Sequence, residues 1–446
     1  MKKRSFVLFA LCTLPLLAFG EGFSLKQCID YANKANGNIV NANYDVEIAG
    51  RKVKEQIGSM LPQIEGSATY TDNLLLMTTL LPGEIIGKKD TMVAVQFGTQ
   101  HNMNAVIQLS QKLFDPTFPL TLKASKISED QAQQTLKMTK EQSAYSISVT
   151  YYQTLVIGKQ LNTLRLTLST SGKLLASTEL KFQAGMAKQI DVDKIRVSFN
   201  NLKSQVQQNE LNYSQSLNNL KYYMGMPVET GINLTDSVMN DDNQMLGALV
   251  NDFNIENRTD YQLQKIALKA FEAEKSRNVA GYLPTLNMSL NLGANAMRKK
   301  FNFLDSNEKW YPNSSLIFSL RVPIFDGMQR QQRIAQANLN IQKNKVKMAQ
   351  SEQSIRVDLS NYENQYRTAI NNIQNEKDNQ ILSESVYKNT QLQYQQGVAT
   401  SLDLVQAESS YNESTNNYFS KLLTLYIARI NLEQGKGNLL NYINNK

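Results

Sequence analysis

Residues 120–226 and 324–446 of this 446-residue chain contain no proline, although nine prolines occur elsewhere. A proline inside a helix costs about 3 kcal/mol, so each stretch is free to form helices of unusual length. Residues 117–181 alone would reach ~100 Å at 1.5 Å per residue. That exceeds the diameter of an ordinary globular domain.

The two proline-free stretches resemble one another. Phe182-Gln183-Ala184-Gly185-Met186-Ala187-Lys188-Gln189-Ile190-Asp191 matches the segment Tyr394 to Asp403 at an offset of 212 residues. Leu113-Phe114-Asp115 matches Ile324-Phe325-Asp326 at 211, and Leu61-Pro62 matches Leu283-Pro284 at 222. Asn38-Ile39 and Asp260-Tyr261 also stand 222 apart. Order is preserved, so the chain reads as a tandem duplication with one internal length difference. The expected organisation is a first repeat over 21–227, an inter-repeat segment over 228–249, a second repeat over 250–440 and a tail over 441–446.

Period identifies the elements. Leu404, Tyr411, Tyr418, Leu425 and Leu432 recur at strict sevens, as do Val192, Phe199, Val206, Tyr213 and Leu220 in the first repeat. A strict seven marks a coiled-coil seam rather than the broader stripe of a globular helix. Tyr145, Val149, Tyr152 and Val156 show similar spacing, and so do Tyr362, Tyr366, Ala369 and Ile373. Gly185 and Gly397 separate outgoing from returning helices, and glycine accepts the left-handed conformation that ends a helix. Each repeat therefore predicts a long antiparallel helical hairpin.

Four other segments alternate. Ile64, Gly66, Ala68 and Tyr70 interleave with Glu65, Ser67, Thr69 and Thr71. Ala105, Ile107 and Leu109 interleave with polar residues apart from Val106; Leu286, Met288, Leu290 and Leu292 do so with Asn287, Ser289 and Asn291. Leu316, Phe318, Leu320 and Val322 form a fourth series, with Ile317 the exception. Such strands, ~10 residues long, suit either a soluble sheet with one buried face or a tilted bilayer crossing. Two strands per repeat give four, fewer than the eight or so of the smallest membrane barrels. A membrane barrel would therefore need several chains.

Lys2, Lys3 and Arg4, an apolar run over 5–17 and Ala18-Phe19-Gly20 form a secretory signal peptide with cleavage expected after Gly20. Such a peptide takes the chain out of the cytoplasm and favours the bilayer reading. Net charge is +8, with no basic stripe of the kind nucleic acid requires, so no nucleic-acid partner is expected. His101 is the single histidine, and the two cysteines are Cys12 and Cys28. Zinc-type spacing, phosphate-binding glycine loops and HExxH are all absent. No catalytic residue, metal site or cofactor is expected, and the chain does not read as an enzyme.

With these features in place the chain resembles the TolC family of outer-membrane efflux proteins (outer membrane factors). Ser24 to Ala32 resembles the family's opening helix. Asn36-Gly37-Asn38-Ile39 and Arg258-Thr259-Asp260-Tyr261 resemble its paired signatures with the prolines replaced. Leu61-Pro62 and Leu283-Pro284 match its helix-to-strand junctions. The resemblance implies a mixed α and β membrane protein: long coiled-coil hairpins forming a periplasmic α-barrel, and four strands per chain in a trimeric twelve-stranded outer-membrane β-barrel. It implies a homotrimer set in outer-membrane lipid of a two-membrane bacterium. That trimer would join a periplasmic adaptor (membrane fusion) protein and an inner-membrane pump of the RND, ABC or MFS type, as the passive exit duct of tripartite efflux or type I secretion. Residues ~228–250 and the tail would belong to an equatorial belt.

The same resemblance points to a pore gate at Asp191, Asp403, Tyr394 and Gln406, and to adaptor contacts at Gly185, Met186, Gly397 and Val398. Gln406 stands where some members carry a second Asp, and Ala399 where some carry an Arg. The alternative for Asp191 and Asp403 is plain helix capping, and for the glycines a plain turn. Residues 72–101 form a long loop that suits a lid, a lipid-contacting lip or a plug in the barrel mouth. Trp310 and Tyr311 are candidates for an aromatic girdle. The competing function is a soluble periplasmic coiled-coil adaptor, which accounts for the hairpins but not for the four strands.

Overall fold

The structure, a computed structural model, describes residues 22–87, 91–236 and 253–444. The expected signal peptide and residues 237–249 of the inter-repeat segment lie outside the described residues. The chain forms two compact units, one from residues up to Tyr44, Gln133–Leu263 and Met348 onward, the other from Asp45–Ala132 and Gln264–Lys347.

In chain order the elements are β1 (Gly22–Phe23), α1 (Leu25–Ala35), α2 (Gly37–Gly58), β2 (Gln63–Asp72), β3 (Thr78–Pro82), β4 (Met92–Gln96), β5 (His101–Phe114), α3 (Phe118–Gln183) and α4 (Gln189–Met224). The remainder are β6 (Asn233–Leu234), α5 (Thr259–Ala280), β7 (Thr285–Arg298), β8 (Tyr311–Arg321), α6 (Gln329–Gln395), α7 (Ser401–Gly435) and α8 (Leu439–Asn444). The elements themselves recur. Starts of α2 and α5, and of β2 and β7, stand 222 residues apart; those of α3 and α6 stand 211 apart, and those of α4 and α7 stand 212 apart. The length difference therefore falls between β2 and α3.

The first unit is built on the heptad seams. Leu404, Tyr411, Leu425 and Leu432 are buried along α7, and Val192, Val206 and Leu220 along α4. Leu161 and Leu164 of α3 pack on Leu202 and Val206 of α4. Leu359, Tyr366 and Ala369 of α6 pack on Leu425, Ala428 and Leu432 of α7. A cluster of Leu174, Ile195, Tyr387, Leu404, Ala407 and Tyr411 draws on all four long helices and joins the two hairpins. The largest cluster gathers α1, α3, α4, α7 and α8, with Cys28, Ile147, Tyr151, Leu220, Met224 and Ile430 nearly sealed from solvent.

The family-like signatures have a physical role in this unit. Asn36 Oδ1 accepts from the Asn38 and Ile39 amides, opening α2, while its Nδ2 donates to the Tyr223 carbonyl at the end of α4 (2.7 Å). In the second repeat Arg258 forks onto Asp260 (2.6 and 3.0 Å) and donates to the Gln434 and Gly435 carbonyls at the end of α7. Burial alone would push Asp260 up, but the Arg258 guanidinium outweighs it and holds the carboxyl below the usual range. Each signature thus starts one helix and ties down the orphan carbonyls of another, work that needs no proline.

The second unit carries an antiparallel sheet in the order β2-β5-β7-β8. Register sorts its residues by face. One row across the four strands reads Ile64, Leu109, Leu290, Leu316, and another Ala68, Ala105, Ala294, Pro312. The opposite face reads Glu65, Gln108, Asn291, Ser315 and Thr69, Asn104, Asn295, Tyr311. Val106 breaks the polar series because it lies beside Gly293, filling space that a Cβ there would occupy (3.1 Å). Tyr311 belongs to the polar face, whereas Trp310 packs against Phe303 (6.4 Å), so only Trp310 keeps company with the aromatic cluster of Tyr70, Phe301 and Phe303. Within the 72–101 loop, β3 and β4 form a separate hairpin that alternation did not foretell.

Candidate functional site

Two features of the molecule bear on function, and they fall in different units. The first is the sheet. Its edge strands β2 and β8 are exposed along their full length. Each presents a row of unpaired backbone groups, and hydrocarbon tolerates no such edge. An apolar face backed by a Glu, Gln, Asn, Ser and Thr face is the pattern of a wall with lipid on one side and water on the other. No helix among the described residues is long and apolar enough to cross a membrane.

The second feature is the pair of hairpin ends. Gly185 and Gly397 sit at the turns with φ of 70° and 79°, and a Cβ at either would meet nothing within 4 Å. Beside them Met186 is 74 % exposed and Val398 75 % exposed. The turns close as left-handed caps, with Met186 N donating to Lys181 O and Val398 N donating to Gln393 O.

Asp191 and Asp403 open the return helices, but at the third helical position rather than at the cap itself. Asp403 accepts from the Thr400 amide (2.9 Å) and hydroxyl (2.7 Å), while the Thr400 hydroxyl receives the Asp403 amide. These donors hold the Asp403 carboxyl below the usual carboxylate range. Asp191 accepts from the Lys188 amide (3.3 Å) and, across the hairpins, from the Ser401 hydroxyl (2.6 Å). Asp403 therefore completes a capping box with Thr400, whereas Asp191 caps the Lys188 amide alone, since a lysine side chain has no acceptor to return. Asp403 and Gln406 remain exposed, one turn apart on α7.

Tyr394 connects the hairpins instead of standing free. Its hydroxyl lies 3.5 Å from that of Thr178, and Lys181 Nζ sits 5.7 Å from its ring centre while donating to Gln395 O (3.1 Å). The fold thus brings Asp191, Ser401, Tyr394, Thr178 and Lys181 to one end of the four-helix packing. Thr178, Lys181 and Ser401 carry no motif and escape a sequence reading. Glu408 also escapes it: nearly sealed at 2 % exposure, it adjoins the seam four residues after Leu404 and three before Tyr411. Among the described residues there is no group of three or more His, Cys, Asp or Glu placed to hold a metal ion.

A sheet with one lipid-facing side and two open edges, in a chain of very long helical hairpins, defines a subunit of an outer-membrane channel. The chain belongs to the outer membrane efflux protein family, whose model matches residues 28–226 and 254–438. Its fold is shared by the CmeC outer membrane channel of Campylobacter jejuni (TM-score 0.72, 15 % identity, 93 % of this chain and 86 % of that one). It is shared equally by the outer membrane protein VceC of Vibrio cholerae (0.69, 14 %, 93 % and 96 %). The open-state MtrE outer membrane channel of Neisseria gonorrhoeae is a further match (0.67, 15 %, 93 % and 89 %). No curated protein matches the chain in sequence. The fold is therefore that of a mixed α and β outer-membrane protein, with hairpins for a periplasmic α-barrel and four strands toward a trimeric twelve-stranded β-barrel. The chain is an outer-membrane efflux channel subunit, not a soluble adaptor.

Proposed function

We propose that three copies of this chain form a passive exit duct whose hairpin ends are both its gate and its docking surface for a periplasmic adaptor. The observation that carries the reading is the sheet: four strands with opposed apolar and polar faces and both edges open. Three such sheets joined edge to edge make twelve strands, enough for a closed barrel with a wet interior. Substrates would arrive from an inner-membrane pump of the RND, ABC or MFS type, in efflux or type I secretion, and the duct adds no chemistry of its own.

At the hairpin ends, Asp191 and Asp403 would gather six carboxylates about the threefold axis, with Tyr394 and Gln406 beside them. The exposure of Asp403 and Gln406 and the Ser401 link between the two helix starts support this grouping. Met186 and Val398, exposed next to the turning glycines Gly185 and Gly397, supply the apolar contact an adaptor would grip. The repeat boundaries at 227 and 250 fit the same reading, with each repeat giving one strand pair and one hairpin.

The carboxylate ring is tested by the double variant Asp191→Asn, Asp403→Asn. Asparagine keeps an acceptor for the Thr400, Lys188 and Ser401 donors, so capping survives while six charges disappear. Single-channel recordings should show reduced cation selectivity and weaker block by multivalent cations, because a focused ring of like charge concentrates counter-ions. Unchanged selectivity and block would leave both residues as helix caps.

A further inference from the structure

The cluster that joins the two hairpins contains a polar core of its own. Glu408 of α7 is 2 % exposed, and its Oε2 accepts from the Ser198 hydroxyl of α4 at 2.7 Å. Among the described residues its other oxygen, Oε1, has no partner. The sealed Ser171 hydroxyl of α3, outside ideal hydrogen-bond geometry, acts on the same carboxyl as a donor that favours its ionised form. Tyr387 of α6, 5 % exposed and with its hydroxyl likewise unpartnered, faces the carboxyl from the fourth helix, and its ring stacks on Tyr411 (5.6 Å). Among the described residues no charged side chain acts on Glu408. Four long helices thus meet on one carboxyl and three hydroxyls.

The first repeat has no counterpart. Arg196 stands at the position equivalent to Glu408, exposed and paired with Glu179 across its own hairpin (2.8 Å). The carboxyl is therefore a property of one joint rather than a leftover of the duplication.

We propose that Glu408 is a proton-operated latch that holds the two hairpins of each chain together near their tips. An ionised carboxylate here would be a charge sealed from water, answered by hydroxyls but by no cation. Protonation removes that charge at no loss of hydrogen bonding, since the Ser171 hydroxyl can donate to the carboxylate or accept from the acid. The closed packing then favours the acid form. When the hairpins part, water reaches Glu408 and the carboxylate becomes the favoured state.

The sign of the pH dependence follows. Burial pushes the Glu408 carboxyl up from its ordinary range, and the hydroxyls of Ser198 and Ser171 offset this only in part. A group protonated more readily in the closed state stabilises that state at low pH. As pH climbs from the ordinary glutamate range through the raised value, the closed state loses that advantage, by up to about tenfold per pH unit per chain. Acidic periplasm would hold the hairpins together; neutral and alkaline periplasm would release them.

The latch rests on the exit-duct reading for its purpose but not for its test. Spin labels at Met186→Cys and Val398→Cys mark the two exposed hairpin ends. The native Cys28 is buried with its thiol pushed up to about 12 by desolvation and the Asp236 carboxylate, so it stays unlabelled. In the detergent-solubilised full chain, the distance between labels should lengthen as pH rises from acid to mildly alkaline. In Glu408→Gln, and in the second neutral variant Glu408→Met, it should stay at the short, low-pH value throughout. The proposal is overturned if the wild-type distance is flat, if the variants follow the wild-type profile, or if they are fixed at the long distance. Because this readout needs no current, it judges the latch whether or not the protein conducts.

Discussion

Ile107→Arg should remove the assembled protein from the outer membrane, whereas Gln108→Arg, one residue along the same strand, should be tolerated. Register alone separates them. Ile107 lies in the apolar row with Gly66 and Leu292, near the middle of β5; Gln108 lies in the polar row with Glu65 and Asn291. An arginine on the lipid face of a barrel at mid-bilayer depth costs about 2–4 kcal/mol, falling toward the interfaces. Three copies would cost about 6–12 kcal/mol, comparable with the ~5–15 kcal/mol that holds a typical folded protein together. On the lumen face the same side chain meets water. The check is the amount of each variant recovered as folded oligomer from outer-membrane fractions. Loss of Gln108→Arg alone would mean the faces are assigned the wrong way round, and equal recovery would mean that neither face of the sheet meets lipid.

The second large effect lies in the other unit. Gly225 ends α4 with φ of 73°, and a Cβ built there would stand 2.4 Å from the Ala35 carbonyl oxygen and 2.9 Å from the Asn36 Cα. Gly225→Ala thus combines left-handed backbone strain, about 1–2 kcal/mol, with an overpacking term of about 1–3 kcal/mol against backbone that cannot swing aside. The turning glycines at the hairpin ends share the strain but not the crowding, so Gly185→Ala and Gly397→Ala should cost about 1–2 kcal/mol each. Thermal unfolding of the three purified variants should therefore show a clearly larger loss for Gly225→Ala. Similar losses would mean that the close approach of α1 and α4 contributes little.

Much of this was legible in the chain because its signals are long and doubled. Missing proline and a strict seven over Leu404 to Leu432 permit only a long coiled-coil helix, and the same pattern recurs 212 residues earlier. Alternation gave the strands and their faces, and Val106, an exception on sequence grounds, is explained by its neighbour Gly293. The β3–β4 hairpin was illegible because Leu74-Leu75-Leu76-Met77 and Leu80-Leu81 read as apolar runs without period. Asp191 and Asp403 could be read as caps or as gate residues. Their capping role is visible in the Thr400 and Lys188 bonds, yet nothing along one chain fixes what faces a threefold axis. Along the sequence Glu408 is one more charge on a helix. Only packing from α3, α4 and α6 makes it buried, and sequence carries no mark of which residues three other helices will cover.

The central claim is that this chain builds a water-filled duct through the outer membrane, and ion current tests it most directly. Protein extracted from outer membranes in detergent and added to planar lipid bilayers should produce discrete conductance steps, carried by an oligomer of about three chains. A folded protein that fractionates with the soluble periplasm and leaves the bilayer silent would contradict the account.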